Sequence, residues 1–149
     1  MDIYSKHFVE IISDYIIVNE ITPTAFAKGV GCLDRCVARW LSGVNTPSIE
    51  YAIKVADFLN CSLDYLFGLT DDPKYKKAEI SVPFSERLTF LMKKTKTNKL
   101  KLSKICEVSS STVSKWVLHR QLPKPDIACL LANHFNCSVD FLFGRSDNL

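Results

Sequence analysis

The stretch SSSTVSKW, residues 109–116, places short hydroxyl side chains beside Lys115, and His119 and Arg120 follow shortly after it. Short hydroxylated side chains let a helix approach the edges of bases closely, whereas longer basic side chains reach phosphate groups. Serines at the start of a helix also serve as caps, and we expect Ser109 to have that role. The stretch therefore has the chemistry needed to contact duplex nucleic acid.

Other reactive residue types do not form a recognisable catalytic or metal-binding pattern. His7, His119 and His134 lie in unrelated places, and no glycine-rich phosphate loop or paired catalytic motif occurs. Cys32 and Cys36 are four residues apart, but no further cysteine or histidine stands near them to complete a zinc site. We therefore expect a protein that is not an enzyme and that holds no metal or cofactor.

The segments around these residues are predicted to be helical. In the C-terminal half, Ser85 is expected to cap one helix and Asn98 to start the next. Ser109 or Ser110 can cap a third helix, with Val113, Trp116 and Val117 on its buried face, and Ser138 can cap a last short helix. No segment alternates convincingly between polar and apolar residues, so the sequence predicts an all-α fold.

A long internal repeat organises the chain. The phrase NCSLDYLFG at residues 60–68 returns as NCSVDFLFG at residues 136–144. A shift of 76 positions aligns residues 8–72 (the first copy) with residues 84–148 (the second copy), with sixteen identities in 65 positions. A unit of this length is too long for the short solenoid repeats. We predict two tandem five-helix domains.

We place the domains at residues 1–70 and 84–149, with a linker at residues 71–83. The two halves differ in charge. Residues 1–76 contain seven Lys and Arg against ten Asp and Glu, a net charge of −3, while residues 77–149 contain twelve against six, a net charge of +6. Because neutralisation of phosphates supplies most nonspecific affinity for DNA, the second half is the better candidate for a DNA-binding domain.

The segments FSERLTFLMKK, LSKICEVSSSTVSKW and LPKPDIACLLANHFNCSVDFLFGRSD resemble the lambda-repressor-like helix-turn-helix domains of the Cro/Xre type. The second copy is similar to that pattern from Phe84 to Asp147, and the first copy is similar mainly from Trp40 to Asp72. In such domains the third helix lies in the major groove, with its N-terminal residues towards the bases. The resemblance implies a sequence-specific double-stranded DNA-binding transcriptional regulator and, by analogy, a repressor.

The resemblance also assigns roles to individual residues of the second copy. Its third helix would direct short hydroxyl side chains at base edges, and basic side chains around that helix would contact phosphates. The base-facing residues would be Ser110, Ser111 and Ser114, with Thr112 beside them, and the phosphate-contacting residues would be Lys99, Lys115, His119 and Arg120.

The first copy has lost this pattern, because its third helix reads CLDRCVARW. Arg35 and Arg39 could still contact the DNA backbone. Its first helix, FVEIISDYIIV, is more apolar than one small domain needs, which leaves Ile12, Ile16 and Ile17 as a candidate assembly face. These side chains could instead pack inside the protein. The working hypothesis is that the first copy mediates a homodimer or binds a protein partner while the second copy binds DNA.

Two further possibilities stay open. A protein-binding adaptor, antitoxin-like or anti-repressor in kind, could keep this fold without specific DNA binding. A covalent pseudo-dimer is also conceivable, because the fifteen residues 69–83 could extend about 50 Å and half-sites one helical turn apart are separated by about 34–36 Å. The sequence shows neither a signal peptide nor a membrane-spanning run, so a cytoplasmic protein with no membrane partner is expected.

Overall fold

The computed structural model describes residues 1–149 and contains ten α-helices and no strand. The all-α prediction is therefore confirmed. The chain forms two compact units, Met1–Lys74 and Tyr75–Leu149, called here the first and the second unit. None of the helices combines the length and the apolar character that crossing a membrane requires.

The first unit contains five helices. Four of them begin at a capping side chain that accepts a hydrogen bond from a backbone N–H three residues further on, which satisfies a donor that the helix leaves unpaired. The caps are Asp2, Thr22, Ser48 and Ser62. The helices are α1 Ile3–Val18, α2 Pro23–Val30, α3 Asp34–Leu41, α4 Ile49–Leu59 and α5 Leu63–Leu66.

Aromatic side chains occupy the core of the first unit. Phe8 on α1 is fully buried, and its ring centroid lies 5.7 Å from that of Trp40 on α3 in an edge-to-face arrangement. Phe8 also stacks on Phe67, just after α5, and the centroids of these two rings are 6.3 Å apart. One side chain of α1 thus ties α3 and the end of α5 together.

The candidate assembly face on α1 is smaller than the sequence analysis expected. Ile12 has no exposed surface and Ile16 is 9 % exposed, because both side chains point into the core of the first unit. Ile17 lies on the opposite side and is 70 % exposed. Of these three residues, only Ile17 is available to a partner.

The second unit also contains five helices, α6 Phe84–Thr95, α7 Lys99–Cys106, α8 Ser110–Val117, α9 Pro125–Phe135 and α10 Val139–Leu142. The last four helices begin 76 residues after α2, α3, α4 and α5 respectively, and each has the same length as its counterpart. The two units therefore share one backbone plan over these helices.

The expected cap of α6 at Ser85 is wrong. The helix begins at Phe84, two residues earlier than a cap at Ser85 would allow, and Pro83 is the N-cap. The backbone N–H groups of Glu86 and Arg87 both donate to the carbonyl of Pro83, so the first turn is already closed around Ser85. The carbonyl of Ser85 accepts from the hydroxyl of Thr89 inside the helix.

Left-handed backbone positions recur with the same separation. Ten residues have positive φ, and every one in the first unit has a counterpart 76 residues later, although the residue types often differ. The pairs are Glu20 and Lys96, Gly31 and Glu107, Gly43 and His119, Asn60 and Asn136, and Gly68 and Gly144. The path of the chain thus repeats even where the residue types do not.

The segment before α6 is held by the segment after α10. Arg145 pairs with the carboxylate of Asp140 and also donates to the hydroxyl of Tyr75 over 3.0 Å. Its guanidinium carbon lies 4.5 Å from the centroid of the Tyr75 ring. The backbone N–H of Ala78 donates to the carbonyl of Arg145 over 2.8 Å. We call Tyr75, Ala78, Asp140 and Arg145 the C-terminal clasp.

The clasp shortens the free chain between the two units. The N–H of Ser62 donates to the carbonyl of Pro73 over 2.9 Å, so the first unit holds the chain up to that residue. The second unit holds it again from Tyr75 onwards. Only Lys74 lies between these two anchored residues.

Candidate nucleic-acid interface

Helix α8 divides cleanly into a core face and an exposed face. Val113 is fully buried and Trp116 is 1 % exposed, which confirms the prediction that both belong to the core. The helix packs against α6 and α7 on that side. The first turn on the other side faces solvent, with Ser109 as the N-cap.

The four predicted base-facing residues all lie within the first five residues of α8. Ser110 and Ser111 are exposed, while Thr112 and Ser114 are half-buried at the edge of the same face. The structure therefore gathers the four hydroxyl side chains on one short, accessible stretch of helix. No bulky side chain of α8 stands among them on its exposed first turn.

Ser109 organises the start of this stretch. Its hydroxyl oxygen accepts the backbone N–H of Thr112 over 3.2 Å and so caps the helix. The same oxygen lies 2.9 Å from the hydroxyl of Thr112 and 3.1 Å from the hydroxyl of Ser111. The expectation that Ser109 is a cap is confirmed, and its oxygen is at the same time the centre of a three-hydroxyl cluster.

The predicted phosphate-contacting residues are all exposed, but they occupy two places. Lys115 lies in the last turn of α8, and His119 and Arg120 lie in the turn that follows. His119 adopts a left-handed conformation with φ of 58°. Lys99 is the first residue of α7, where unpaired N–H groups and the helix dipole also favour a negative charge.

A groove beside Lys99 contains two lysines that the sequence reasoning missed. It has a volume of about 360 Å³ and lies where the end of α6, the start of α7 and Val117 of α8 meet. Lys93 and Lys96 line it together with Lys99 and the capping Asn98. The lysine-rich run KKTKTNK at residues 93–99 was the signal available in the sequence.

The charge of the second unit is concentrated on its surface. Residues 75–149 contain thirteen Lys and Arg against six Asp and Glu, which gives +7, whereas residues 1–74 contain six against ten, which gives −4. Two of the thirteen cations are buried in ion pairs: Arg87 with Asp147, over 2.7 Å, and Arg145 with Asp140. The other eleven are exposed. The exposed surface of the second unit as a whole is therefore strongly cationic.

Helix α3 of the first unit presents a different surface. Its N-cap, Leu33, forms no side-chain capping bond, and Asp34 follows as the first helical residue. Arg35 and Arg39 are both exposed. The structure thus leaves the two arginines accessible, on a helix that has a carboxylate where α8 has a hydroxyl.

The cysteines offer no metal site. None of the six forms a disulfide, and no group of three or more His, Cys, Asp or Glu side chains in the structure could hold a metal ion. Burial, and then the neighbouring Cys36, raise the pKa of the Cys32 thiol. Burial raises the pKa of Cys106 to about 11. These two thiols therefore stay protonated near neutral pH, which disfavours metal coordination and nucleophilic chemistry.

Comparison with known proteins returned one family. The model described as helix-turn-helix, HTH_3, matches residues 19–66, which cover α2 to α5 of the first unit. No curated protein and no solved structure gave a match. The motifs quoted above resemble the family more fully in the second copy, whereas the family match falls on the first. The chain therefore carries one Cro/C1-type helix-turn-helix domain, at residues 19–66, and a domain of this type suggests DNA binding and transcriptional regulation rather than catalysis.

Proposed function

We propose that the protein is a sequence-specific double-stranded DNA-binding transcriptional regulator, acting as a repressor, and that its second unit is another helix-turn-helix domain. In this proposal α8 reads the major groove. The observation that carries it is the accessible cluster of hydroxyl side chains at the start of α8, with exposed Lys115, His119 and Arg120 following it in the chain.

The backbone plan supports the assignment of the second unit. Helices α7 and α8 have the same lengths as α2 and α3 and follow them by 76 residues. Because α2 and α3 fall inside the matched residues 19–66, α8 corresponds to the helix that enters the major groove in this family. Ser110, Ser111, Thr112 and Ser114 then occupy its base-facing positions.

Charge supports the proposed orientation. Lys99 and the neighbouring groove lysines line a groove with Val117, in the last turn of α8, and Lys115, His119 and Arg120 lie in or just after that turn. These basic side chains can contact phosphates while the hydroxyl side chains at the start of α8 face base edges. Each phosphate contact releases counterions, so several contacts give binding that weakens steeply with salt.

The family match also favours a contact between the first unit and DNA. Arg35 and Arg39 are exposed on α3, and we propose that they contact the DNA backbone without reading bases. The net charge of −4 on this unit opposes tight binding by that unit alone. Ile17 remains exposed for a homodimer contact or a protein partner.

Salt-dependent binding to a random duplex tests the DNA proposal directly. We expect Lys115→Ala or Arg120→Ala to weaken binding to all sequences and to reduce the slope of log affinity against log salt by about 0.9 for each lost phosphate contact. Lys6→Ala, an exposed lysine on α1, is the control and should leave the slope unchanged. Affinity is measured by fluorescence anisotropy at several salt concentrations.

Selection of bound fragments from a random duplex pool tests sequence reading. We expect Ser111→Ala or Ser114→Ala to change the selected sequences with little effect on the salt slope, since neither residue carries charge. If all four substitutions left affinity and sequence preference untouched, α8 would not be the DNA-binding face. A wild-type protein that ignored duplex DNA in dilute buffer would instead point to the adaptor function, with a polypeptide ligand.

A further inference from the structure

The hydroxyl of Ser109 has no hydrogen-bonding capacity left for solvent. A serine hydroxyl offers one proton and two lone pairs. One lone pair accepts the N–H of Thr112, and the hydroxyl groups of Ser111 and Thr112 are the remaining two neighbours within hydrogen-bonding distance. Ser109 can therefore accept from one of these hydroxyls and donate to the other.

This constraint makes the hydroxyls of Ser111 and Thr112 unlike. The one that donates to Ser109 has used its proton and presents only lone pairs to its surroundings. The one that accepts from Ser109 keeps its own proton for an outside partner. If both tried to take the same role, one of the contacts at 2.9 and 3.1 Å would be lost.

We propose that Ser109 is a positioning residue for sequence specificity: without touching a base, it prevents Ser111 and Thr112 from both donating to it, so that one of the pair can still donate to DNA. The proposal rests on the proposed function, because it assumes that α8 faces base edges. The hydroxyl that donates to Ser109 presents only lone pairs and selects an amino group, from adenine or cytosine. The other hydroxyl keeps its proton and one lone pair, and it is the member of the pair that can donate to an acceptor, such as guanine O6 or N7 or thymine O4.

Other hydroxyl side chains of α8 have no such constraint. The side chains of Ser110 and Ser114 form no hydrogen bond within the protein, so each can donate or accept as the base requires. A free hydroxyl specifies no base by itself. The coupled pair at Ser111 and Thr112 is therefore where this helix gains discrimination, and the residue that couples them is Ser109.

Two substitutions of Ser109 that keep a good helix cap can show whether Ser109 acts through the hydroxyl groups of Ser111 and Thr112 or only as the cap. Asp and Asn both cap helices about as well as Ser. In Ser109→Asp the carboxylate cannot donate, so Ser111 and Thr112 both donate to it and both present lone pairs outwards. In Ser109→Asn the side-chain amide supplies both an acceptor and a donor, so the unlike roles can persist.

The experiment selects sequences from a random duplex pool with the full-length wild type and both variants. It then measures affinities for the selected duplex and its single-base changes. We expect Ser109→Asp to shift preference towards an exposed amino group at one base position by about 2- to 10-fold, the value of one hydrogen bond. We expect Ser109→Asn to keep the wild-type preference. Ser138→Asp, at the cap of α10, controls for the added charge and should leave the preference unchanged.

The outcomes are distinguishable. If Ser109→Asp melts at the wild-type temperature and keeps the wild-type preference while Ser111→Ala changes it, α8 reads DNA but the coupling through Ser109 is wrong. If Ser109→Asn shifts the preference as much as Ser109→Asp does, the shift comes from a change in the helix cap and not from which hydroxyl groups donate. That result also overturns the proposal. If the wild type fails to bind any duplex, the proposed function itself fails.

Discussion

At the scale of single residues, His134 on α9 is held in an environment that disfavours its charged form. Its Nε2 atom is buried without a hydrogen-bond partner, and its ring lies 4.8 Å from that of Phe135. Burial, and then the positive charge of Lys101, lower the pKa of His134 from its ordinary value of 6.5. The unfolded chain therefore binds this proton more readily than the folded protein does.

We expect the second unit to lose stability as the pH falls below about 6.5, because protons bound preferentially by the unfolded state favour unfolding. His134→Gln should reduce this loss, since glutamine does not titrate. Lys101→Met should also reduce it, because the cation that opposes protonation is removed. Urea unfolding followed at a series of pH values measures the effect, and an unchanged slope in His134→Gln would assign the acid sensitivity to other groups.

Residue types and helical spacing predict some side-chain positions well. Val113 and Trp116 were expected in the core and are buried there, since an amphipathic helix shows its inner face in its sequence. The burial of the individual isoleucines of α1 was harder to predict, because this helix is apolar on several sides. Only the packed partners of α1 distinguish the buried Ile12 from the exposed Ile17.

At the scale of elements, the turn after α10 depends on a glycine that is close to another segment. Gly144 has φ of +70°, and a Cβ added there would lie 2.1 Å from the carbonyl oxygen of Val82. Backbone atoms cannot move aside as the end of a flexible side chain can. The backbone of Val82, in the segment before α6, thus occupies the position that a side chain at residue 144 would need.

We expect Gly144→Ala to destabilise the second unit by about 2–5 kcal/mol, since it adds a backbone collision to the strain of a left-handed alanine. Gly31→Ala is the matched control, because Gly31 has φ of +89° and nothing lies within 4 Å of the added Cβ. It should cost about 1–2 kcal/mol for conformation alone. Chemical denaturation measures both variants, and equal costs would show that Val82 yields without penalty.

Helix boundaries were predictable wherever a capping side chain makes the first hydrogen bond. Asn98, Ser109 and Ser138 were expected at helix starts and are the N-caps of α7, α8 and α10. The prediction failed at Ser85, because the carbonyl of Pro83 starts α6 without any side-chain cap. Where only backbone hydrogen bonds define the start of a helix, no characteristic residue type marks that start in the sequence.

At the scale of the whole molecule, the C-terminal clasp joins residues about seventy positions apart in the chain. Arg145 is 9 % exposed and Asp140 2 % exposed, so their ion pair is shielded from water. The equivalent position in the first unit is Leu69, an exposed leucine. A buried ion pair therefore holds the C-terminal end of the second unit, and the first unit has no charged residue at the equivalent position.

We expect Arg145→Leu to destabilise the second unit by about 3–5 kcal/mol, the usual cost of breaking a buried ion pair by removing one partner. The stability of the first unit should be unaffected. Leu69→Ala is the matched control, with an expected cost within about 0.5–1 kcal/mol for an exposed position. Hydrogen exchange of amides in each unit resolves the two effects, and equal loss of protection in both units would contradict an effect of Arg145 confined to the second unit.

The sequence alone predicted the helical class, because the spacing of apolar residues that indicates a helix is a local property. It did not predict the clasp or the groove beside Lys99. Both depend on segments distant in the chain coming together: Arg145 bonds to Tyr75, and Lys93 and Val117 line one groove. The second helix-turn-helix domain and its DNA-reading residues stay a prediction.

The five left-handed positions shared by the two units have a consequence for the backbone strain that each unit holds. The first unit has glycine at Gly31 and Gly43, whereas the second has Glu107 and His119 at the matching turns. Side chains with a Cβ tolerate this conformation poorly, so these two turns cost the second unit conformational free energy that the first unit avoids. Glycine at either of the two positions in the second unit should therefore relieve strain without changing the path of the chain.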